Sequence, residues 1–363
     1  MNQKCMSVIW GILFSCPFCF AADTSAGGGW NAAVSTPVCT AAGDQQSPSI
    51  SSGANGLVVV WQDSRPDGKT PDTKYPWSVY GRYLGQDKDF SVFIPADANA
   101  TIPVISGDNV VFMQNRGWAN LMLAKLTKEK SEIKAIEGQA NMPFIDGSMV
   151  VFSSGINRTG EDAKLSWITD IRCFEINGIG SAMDVAAGKT KGGTKVLSCP
   201  AVSGSVVVWQ ENRDGTKGGL SDWFIYRRDL NADADPVRVA GSPGSKVSNP
   251  AISGSMIVWQ DNRNGDWDIY GYDIKSGKER VIYMGTGDQA NPKIHGSVVV
   301  WQDNRSGNWD IYGTDLTAGK VFPVFVGPAN QTQPAIFGDV VVWTDDRGKD
   351  KDIYMNRQQT EKK

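Results

Sequence analysis

Histidine is almost absent from this sequence, and His295 is the only one among 363 residues. Hydrolysis by a serine or cysteine nucleophile normally needs a base, usually a histidine, that a third group holds in place. A metal site of the Cys/His type needs several such ligands at set spacings, which this sequence does not offer. We therefore expect His295 to be a turn residue, and we expect no catalytic residue, no metal and no other cofactor.

An excess of basic residues is absent as well, because the formal net charge is -3 and the isoelectric point is about 5.4. Binding to nucleic acid requires a basic surface that neutralises phosphates, so we expect no nucleic-acid partner. Hydrophobic residues make up 40% of the chain and charged residues 21%. These shares are ordinary for a globular protein with a large buried core.

Long apolar runs are absent except near the N-terminus. Lys4 precedes an apolar run, Ser7 to Phe20, that is followed by small residues. This arrangement is typical of a signal peptide, here residues 1–22, and a short leader follows at 23–34. The run is short for a membrane span, so we expect no span after its removal and a periplasmic, secreted or cell-surface location. A retained anchor and lipid modification at Cys16 are the alternatives.

Cysteines are few once this segment is set aside. Three of the six lie within residues 1–22, and Cys39, Cys173 and Cys199 remain. An odd number gives no disulfide framework, and the spacing fits no zinc site. An exported location permits one disulfide, and the sequence leaves open which two cysteines would form it.

What the sequence has in abundance is an internal repeat. The stretch from Asn249 to Ile274 returns almost unchanged from Asn291 to Leu316, and a weaker copy begins at Gln333. Each copy contains a proline, a glycine, a Val-Val-Val-Trp run, an Asp-x-Arg turn and an Asp-Ile-Tyr segment. Seven copies follow one another, and their apolar runs end at Trp61, Phe112, Phe152, Trp209, Trp259, Trp301 and Trp343. A period of roughly 40–50 residues indicates a repeat architecture.

Each copy predicts four strands. The segment after the proline is short and apolar, and the glycine predicts a tight turn. The Val-Val-Val-Trp run is apolar on both faces, as in a strand buried on both sides. Asp-Ile-Tyr and a more variable segment supply the third and fourth strands. We therefore predict an all-β, seven-bladed β-propeller over residues 35–358, with four-stranded blades and a tail at 359–363.

The two ends of the repeat array predict how the propeller closes. The seventh copy ends after its third strand, and Ser35 to Ile50 resembles the fourth-strand segment Lys320 to Ile336. We therefore expect an N-terminal strand to complete the last blade, which ties first to last and removes an exposed sheet edge. The closed propeller is expected to be a monomer.

The repeated pattern, from the proline through Val-Val-Val-Trp and Asp-x-Arg-x-Gly to Asp-Ile-Tyr, resembles the propeller repeats of TolB-like proteins. It is also similar to the tandem propeller repeats of exported bacterial and archaeal surface proteins. The resemblance extends over the chain after the signal segment and implies a propeller that serves as a scaffold for protein contacts. Some propellers of that broad family are appended to peptidases. TolB itself has a separate N-terminal domain and six blades, whereas we expect seven blades here and no such domain.

Acidic residues suggest two further chemistries. Paired carboxylates could support glycoside cleavage, but the strands expected to line the central channel carry only Asp146 and Lys293 as charged residues. The acidic turn around Asp261 and Asp268 has some calcium-loop character, but Arg263 stands where a ligand is needed. We expect Arg263 to pair with one of these carboxylates and to hold the hairpin instead.

A tryptophan closes the loop between the second and third strands in six copies, namely Trp77, Trp118, Trp167, Trp223, Trp267 and Trp309. One interpretation is structural, with each tryptophan stacked on the repeated arginine and the next blade. The other is an aromatic rim that contacts a sugar or a peptide. The same loops are long in blades one, three and four and emerge on one face, which predicts the binding face.

Amide side chains precede the repeated prolines, close to the expected mouth of the channel. They are Gln46, Asn141, Asn249, Asn291 and Gln333. They either cap the loop backbone or offer hydrogen bonds to a small polar ligand or a glycan. The sequence leaves both interpretations open.

Together these features predict a non-enzymatic, exported propeller that binds an envelope or surface protein through its long-loop face. The first alternative is a lectin-like module that binds glycan through the tryptophans and the amides. The second is a polysaccharide lyase or glycosidase, against which the lack of a histidine pair and of a carboxylate pair argues.

Overall fold

The computed structural model describes residues 29–66, 76–116, 118–127, 131–156, 168–178, 181–190, 193–213 and 222–359. Across these ranges the chain forms strands and turns without a helix. A helix that could cross a membrane is therefore not found in this part of the chain. The predicted signal peptide, and much of the long loops of blades one, three and four, lie outside the described residues.

The first strand, β1 (Thr36–Cys39), pairs with the last, and the strands between them form the blades in chain order. Blade one contains β2 (Gln45–Gly53), β3 (Gly56–Asp63), β4 (Ser78–Tyr83) and β5 (Phe90–Phe93). Blade two contains β6 (Asn99–Ser106), β7 (Asn109–Arg116), β8 (Trp118–Lys125) and β9 (Glu132–Gly138). Blade three contains β10 (Ala140–Asp146), β11 (Met149–Ile156), β12 (Ile168–Glu175) and β13 (Met183–Ala186).

Blade four has a fifth, two-residue strand at its inner edge. It contains β14 (Lys189–Thr190), β15 (Gly193–Ser203), β16 (Val206–Arg213), β17 (Trp223–Asp229) and β18 (Val237–Ala240). Blade five contains β19 (Val247–Ser253), β20 (Met256–Asp261), β21 (Asp268–Asp273) and β22 (Lys278–Tyr283). Blade six contains β23 (Gln289–His295), β24 (Val298–Asp303), β25 (Asp310–Asp315) and β26 (Lys320–Phe325). Blade seven contains β27 (Gln331–Phe337), β28 (Val340–Asp345) and β29 (Asp352–Arg357).

The last blade is completed by the N-terminal strand. β1 pairs antiparallel with β29, with Thr36 opposite Met355 and Cys39 opposite Ile353, in the sheet order β1-β29-β28-β27. The predicted all-β, seven-bladed propeller and its closure by an N-terminal strand are therefore confirmed. Because β1 pairs with β29, the third strand of blade seven does not present an exposed outer edge.

The repeated glycine shapes the first hairpin of each blade. In blade five the two residues between Ser253 and Met256 form the turn, and Gly254 has a φ of 56°. A left-handed conformation of this kind favours glycine, since a Cβ atom would be strained there. The tight turn predicted from the glycine is confirmed.

The Val-Val-Val-Trp strands form the centre of the core. In blade one the side chains from Val58 to Trp61 are fully buried, because one face packs on the preceding blade and the other on the next. Full burial of a large apolar side chain stabilises the fold by roughly 2–3 kcal/mol. The strand burial predicted for this run is confirmed, and the apolar clusters that it forms lie between blades.

A buried aspartate two residues after the tryptophan joins the strand to the following turn. In blade six, Asp303 is fully buried and accepts hydrogen bonds from Trp301 Nε1 at 2.9 Å and from Arg305 Nε at 2.8 Å. It also accepts from the Arg305 backbone N–H at 3.1 Å and from Arg305 Nη2 at 2.5 Å. The Arg305 guanidinium then stacks on Tyr312, 3.9 Å from the ring centroid. One carboxylate thus connects the core tryptophan, the hairpin arginine and the third-strand tyrosine.

The same unit is present in blades one, five and seven, around Asp63, Asp261 and Asp345. In blade five Arg263 pairs with Asp261 at 2.5 Å and also with Glu279 at 2.7 Å, which confirms the predicted hairpin ion pair. The repeated arginines stack on tyrosines of the Asp-Ile-Tyr segment, namely Tyr80, Tyr270, Tyr312 and Tyr354. The suggestion that they stack on the loop tryptophans is therefore wrong for blades one, five and six, and blade seven has Lys351 in place of that tryptophan.

Replacing Asp303 with asparagine should destabilise the protein strongly. The neutral amide cannot hold the Arg305 guanidinium as a carboxylate does, and breaking a buried ion pair on one side costs about 3–5 kcal/mol. The measurement is the free energy of unfolding from urea denaturation.

The matched control is Asp339→Asn, because Asp339 pairs with Arg357 at 3.8 Å and both side chains are about half exposed. An exposed pair of this kind contributes at most about 1 kcal/mol. Equal losses in the two variants would show that the buried carboxylate is not the stabilising group.

Candidate functional site

The inner strand of each blade lines a central channel. These strands are β2, β6, β10, β15, β19, β23 and β27, and together they enclose a cavity of about 510 Å³. This volume lies in the range of ordinary ligand pockets. Three alternate positions on each inner strand are among those that line the cavity: the residue before the repeated proline, the residue after it and the residue two further along, which precedes the hairpin glycine in six of the blades. We call the three sets the proline mouth, the middle ring and the glycine mouth.

The proline mouth consists of seven residues that all have a left-handed backbone. They are Ser47, Ile102, Met142, Cys199, Asn249, Asn291 and Gln333, and their φ angles lie between 49° and 55°. The pairing with the second strand shifts register at this point in each blade, as between Ser248 and Ala251 in blade five. A left-handed residue that is not glycine costs about 1–2 kcal/mol, so each one must be held by its surroundings.

The preceding blade holds the proline mouth. The side chain of the residue after the core tryptophan reaches across and accepts the backbone N–H of the left-handed residue. Gln210 accepts from Asn249 at 2.8 Å, and Gln260 accepts from Asn291 at 2.8 Å. Gln62 and Gln302 do the same for the next blade. The repeated glutamine therefore connects neighbouring blades through a hydrogen bond. The repeat pattern does not show this role, because the contact joins two different copies.

The proline mouth has two arcs of different chemistry. Blades two to four contribute Ile102, Met142 and Cys199, and the first two are large apolar side chains that are 42% and 44% exposed. Blades five, six, seven and one contribute Asn249, Asn291, Gln333 and Ser47. One side of the opening is thus apolar, and the other offers amide and hydroxyl groups.

The structure places the predicted amides differently from one another. Asn249, Asn291 and Gln333 belong to the proline mouth, whereas Gln46 and Asn141 lie one residue earlier and do not line the cavity. The five amides share a residue type, but Gln46 and Asn141 lie two residues before the proline and the other three lie one residue before it.

Two of the mouth amides make side-chain hydrogen bonds. Asn249 Nδ2 donates to Gln260 Oε1 of the same blade at 3.0 Å, and Gln333 Oε1 accepts the N–H of Ser47 in the next blade at 2.9 Å. The capping role is therefore filled by the Asn249 side chain and by the Oε1 atom of Gln333. Asn291 makes no side-chain hydrogen bond to any described residue.

The middle ring is neutral except at one position. Its residues are Ser49, Val104, Phe144, Ala201, Ala251, Lys293 and Ala335, each opposite a valine of the second strand. Lys293 is the one lysine or arginine among the described residues that line the cavity. Burial lowers the pKa of its amine, and the nearby Cys199 acts in the opposite direction.

The glycine mouth joins six of the seven blades to the next, and blade seven has Phe337 at this position. The residue before the glycine accepts the N–H of the corresponding glycine in the following blade, as Ser203 does for Gly254 at 3.0 Å and Ser253 for Gly296 at 3.0 Å. Asp146, the predicted channel carboxylate, has the same role and accepts from Gly204 at 2.8 Å. Its position is thereby explained by blade contacts.

His295 occupies this same position in blade six. Its Nδ1 accepts the Gly338 N–H at 3.1 Å, and its ring packs on Phe337 with 4.5 Å between centroids. Only an unprotonated Nδ1 can accept that hydrogen bond. Burial lowers the pKa of His295, although Asp146 acts in the opposite direction. The histidine lies before a turn, as expected, and fastens two blades there.

The loop tryptophans that the structure describes are half-buried. Trp77, Trp223, Trp267 and Trp309 are neither fully buried nor fully exposed. The backbone of Trp267 links two blades, because its N–H donates to Asp288 at 3.0 Å and its carbonyl accepts from Gln289 at 2.6 Å. Trp309 makes the corresponding contacts in blade six. The whole of Trp167 and the side chain of Trp118 lie outside the described residues.

The remaining reactive groups are occupied or shielded. Cys39, Cys173 and Cys199 are free thiols, and burial raises the pKa of all three, that of Cys39 to about 12. Buried carboxylates do occur in pairs, with Asp345 opposite Asp352, and burial raises the pKa of Asp352 to about 6. These pairs belong to the blade cores. In the described part of the chain, no group of three or more His, Cys, Asp or Glu could hold a metal ion.

Comparison with known proteins supports the fold. No protein-family model matches the sequence, and no curated protein sequence does. An acylaminoacyl peptidase from Pyrococcus horikoshii aligns over 88% of this chain and 52% of its own, with 14% identity and a TM-score of 0.64. The β-propeller domain of the Trilobed protease from Pyrococcus furiosus aligns over 88% of this chain and 98% of its own, with the same identity and TM-score.

At such low identity these likenesses show the propeller fold alone. The chain spans between 48% and 53% of the length of the larger peptidases it matches, and the match covers their propeller and not their catalytic part. The Trilobed protease propeller is described as having an open velcro topology, whereas β1 completes the last blade here. A putative TolB from Agrobacterium tumefaciens aligns over 59% of this chain and 74% of its own, with 16% identity and a TM-score of 0.44, and this weak likeness supports no argument.

The comparisons correct the functional prediction. The propellers that align with most of this chain belong to peptidases, so the predicted scaffold for an envelope or surface protein, with a lectin or a polysaccharide-active enzyme as alternatives, is wrong. The matches cover only the propeller part of those peptidases and do not test whether this chain is an enzyme. It depended on the long loops and the tryptophans. The described tryptophans are half-buried and two of them link blades, and Asp146 is used in blade contacts.

Stability should depend on the protonation of His295. Because its pKa in the folded protein is below the ordinary 6.5, its contribution is complete above that value and is lost as the pH falls through the folded pKa. We expect His295→Ser, which restores the hydroxyl acceptor found at Ser203 and Ser253, to remove this part of the pH dependence. The free energies of unfolding of the two proteins should diverge by about 1 kcal/mol between about pH 7.5 and 5. An unchanged difference between them would contradict the role of Nδ1.

Proposed function

We propose that this chain is a peptidase-associated propeller whose central channel receives extended peptides. The peptidase catalytic unit would lie on the same polypeptide or on a separate one. The fold likeness to peptidase propellers supports the association, and the apolar run near the N-terminus supports an exported location. The observation that carries the proposal is the two-sided chemistry of the proline mouth.

An extended peptide matches this chemistry. Its backbone presents a carbonyl and an N–H at each residue, and its side chains alternate between two sides. The arc with Asn249, Asn291 and Gln333 offers hydrogen bonds to such a backbone, and the arc with Ile102 and Met142 offers an apolar surface to its side chains. A concave site that is mostly apolar, with a few polar groups that fix orientation, is typical of ligand binding.

The width of the channel favours chains without tertiary structure. Hydrogen bonds between blades fix the inner strands at both mouths. The opening therefore cannot widen unless these hydrogen bonds break. A folded domain of ordinary size, with a radius of gyration of about 13 Å for 100 residues, does not fit a cavity of about 510 Å³. The channel would therefore admit peptides and exclude folded proteins.

Filling the channel should abolish peptide binding. Ala335 lies in the middle ring, and Ala335→Trp would occupy the space between the inner strands. We expect the affinity for a fluorescein-labelled, unstructured decapeptide, measured by fluorescence anisotropy, to fall by at least about ten-fold.

The control is Ser91→Trp, which adds the same side chain to an exposed position on the outermost strand of blade one. This variant should bind like the wild type, and melting temperatures would verify that both variants fold. Failure of the wild type to bind, or equal binding by Ala335→Trp, would refute a peptide channel.

A further inference from the structure

A single amine lies in the wall of an otherwise neutral channel. Lys293 follows the proline of blade six, opposite Val300, while the equivalent positions of the other blades carry only Ser49 or apolar residues. The packing of the inner strands does not require a charge here, since alanine serves in three of the seven blades. The amine is therefore a feature of this one blade and not of the propeller fold.

No carboxylate of the described residues forms an ion pair with Lys293. The other ionisable groups that line the cavity are Asp146, His295 and Cys199. Asp146 is engaged with the Gly204 N–H at the glycine mouth, and the Cys199 thiol is kept neutral by burial, which raises its pKa. An ammonium group without a counter-charge inside a protein is costly. An anionic ligand would offset that cost.

Hydrogen-bond donors lie beside the amine. Asn291 is two residues earlier on the same inner strand, also lines the cavity, and has a side-chain amide without a hydrogen bond to any described residue. Gln333 of the next blade accepts two hydrogen bonds at its Oε1. Its NH₂ group donates to neither of these two partners. A carboxylate accepts several hydrogen bonds at once, so an ammonium and amide N–H groups together form a suitable binding set.

We propose that Lys293, with Asn291 and Gln333, binds a carboxylate of the peptide in the channel. This inference rests on the proposed peptide channel and names the chemical group that anchors the ligand. The carboxylate is either the C-terminus of the peptide or an Asp or Glu side chain. The apolar remainder of the middle ring, with Val104, Phe144 and the alanines, then contacts the rest of the peptide.

The experiment compares three probes by isothermal titration calorimetry. The first is an acetylated tetrapeptide of three alanines and one phenylalanine with a free C-terminal carboxylate. The second is the same peptide as the C-terminal amide. The third is the amide with a glutamate in place of one alanine. The wild type should bind the first probe much more tightly than the second, and the third reports whether a side-chain carboxylate also serves.

The variants are Lys293→Met, Lys293→Arg and the control Lys278→Met, in which an exposed lysine of the outer strand β22 is replaced. Lys293→Met should lower the affinity for the carboxylate probe by at least roughly 30-fold and leave binding of the amide unchanged. Lys293→Arg should retain a preference for the carboxylate, and Lys278→Met should bind like the wild type. Because Lys293→Met removes a half-buried amine that no described carboxylate pairs with, its melting temperature should be no lower than that of the wild type.

The outcomes separate this inference from the proposed function. Equal binding of the free acid and the amide by the wild type, or a preference that survives in Lys293→Met, would overturn the role of Lys293 and leave the peptide channel standing. Absence of binding for all three probes would overturn both. Tight binding of the third probe would support the carboxylate site and assign its ligand to an internal acidic residue.

Discussion

The buried carboxylate in the Trp-x-Asp-x-Arg unit is the interaction on which the blades depend. In blade six it holds the indole N–H of Trp301, the backbone and guanidinium of Arg305 and, through that guanidinium, the ring of Tyr312. A buried carboxylate without the arginine would lower the free energy of unfolding. Without the carboxylate, the arginine side chain would have no ion-pair partner to hold it over the blade. The pair thus fixes the second strand, the hairpin turn and the third strand relative to one another.

This unit divides the propeller into a regular and an irregular part. Blades five, six, seven and one contain it, whereas blades two and three have Gln114 and Ser154 at the aspartate position and blade four has Glu211, which pairs with Lys195 at 3.0 Å. The buried Trp209 Nε1 lacks the partner that it would have in the regular blades. The same division separates the amide arc of the proline mouth from its apolar arc. The two kinds of blade therefore form the two sides of the channel opening.

Much of the fold could be predicted from the sequence because the strand pattern and turn residues are local properties. The seven copies, the glycine turns, the Arg263–Asp261 pair and the closing N-terminal strand all follow from residues near one another or from copy number. The contacts between copies could not be predicted in the same way. Gln260, which holds the left-handed Asn291 of the next blade, and His295, which accepts from Gly338, each contact a residue 31 or 43 positions away. Gln46 and Asn141 were assigned to the mouth by residue type, although each lies two residues before its proline.

The positions that vary between copies are those that the blades do not need. The proline, the hairpin glycine and the buried strand recur because they form the turns, connect the blades and fill the core. The proline mouth and the middle ring face the cavity, where a side chain has little effect on packing between blades, and there the copies carry residues as different as Ala251 and Lys293. A repeat protein uses such positions to distinguish its ligands. Because an unpaired amine in a channel wall stabilises nothing by itself, its presence is better explained by what enters the channel than by the fold around it.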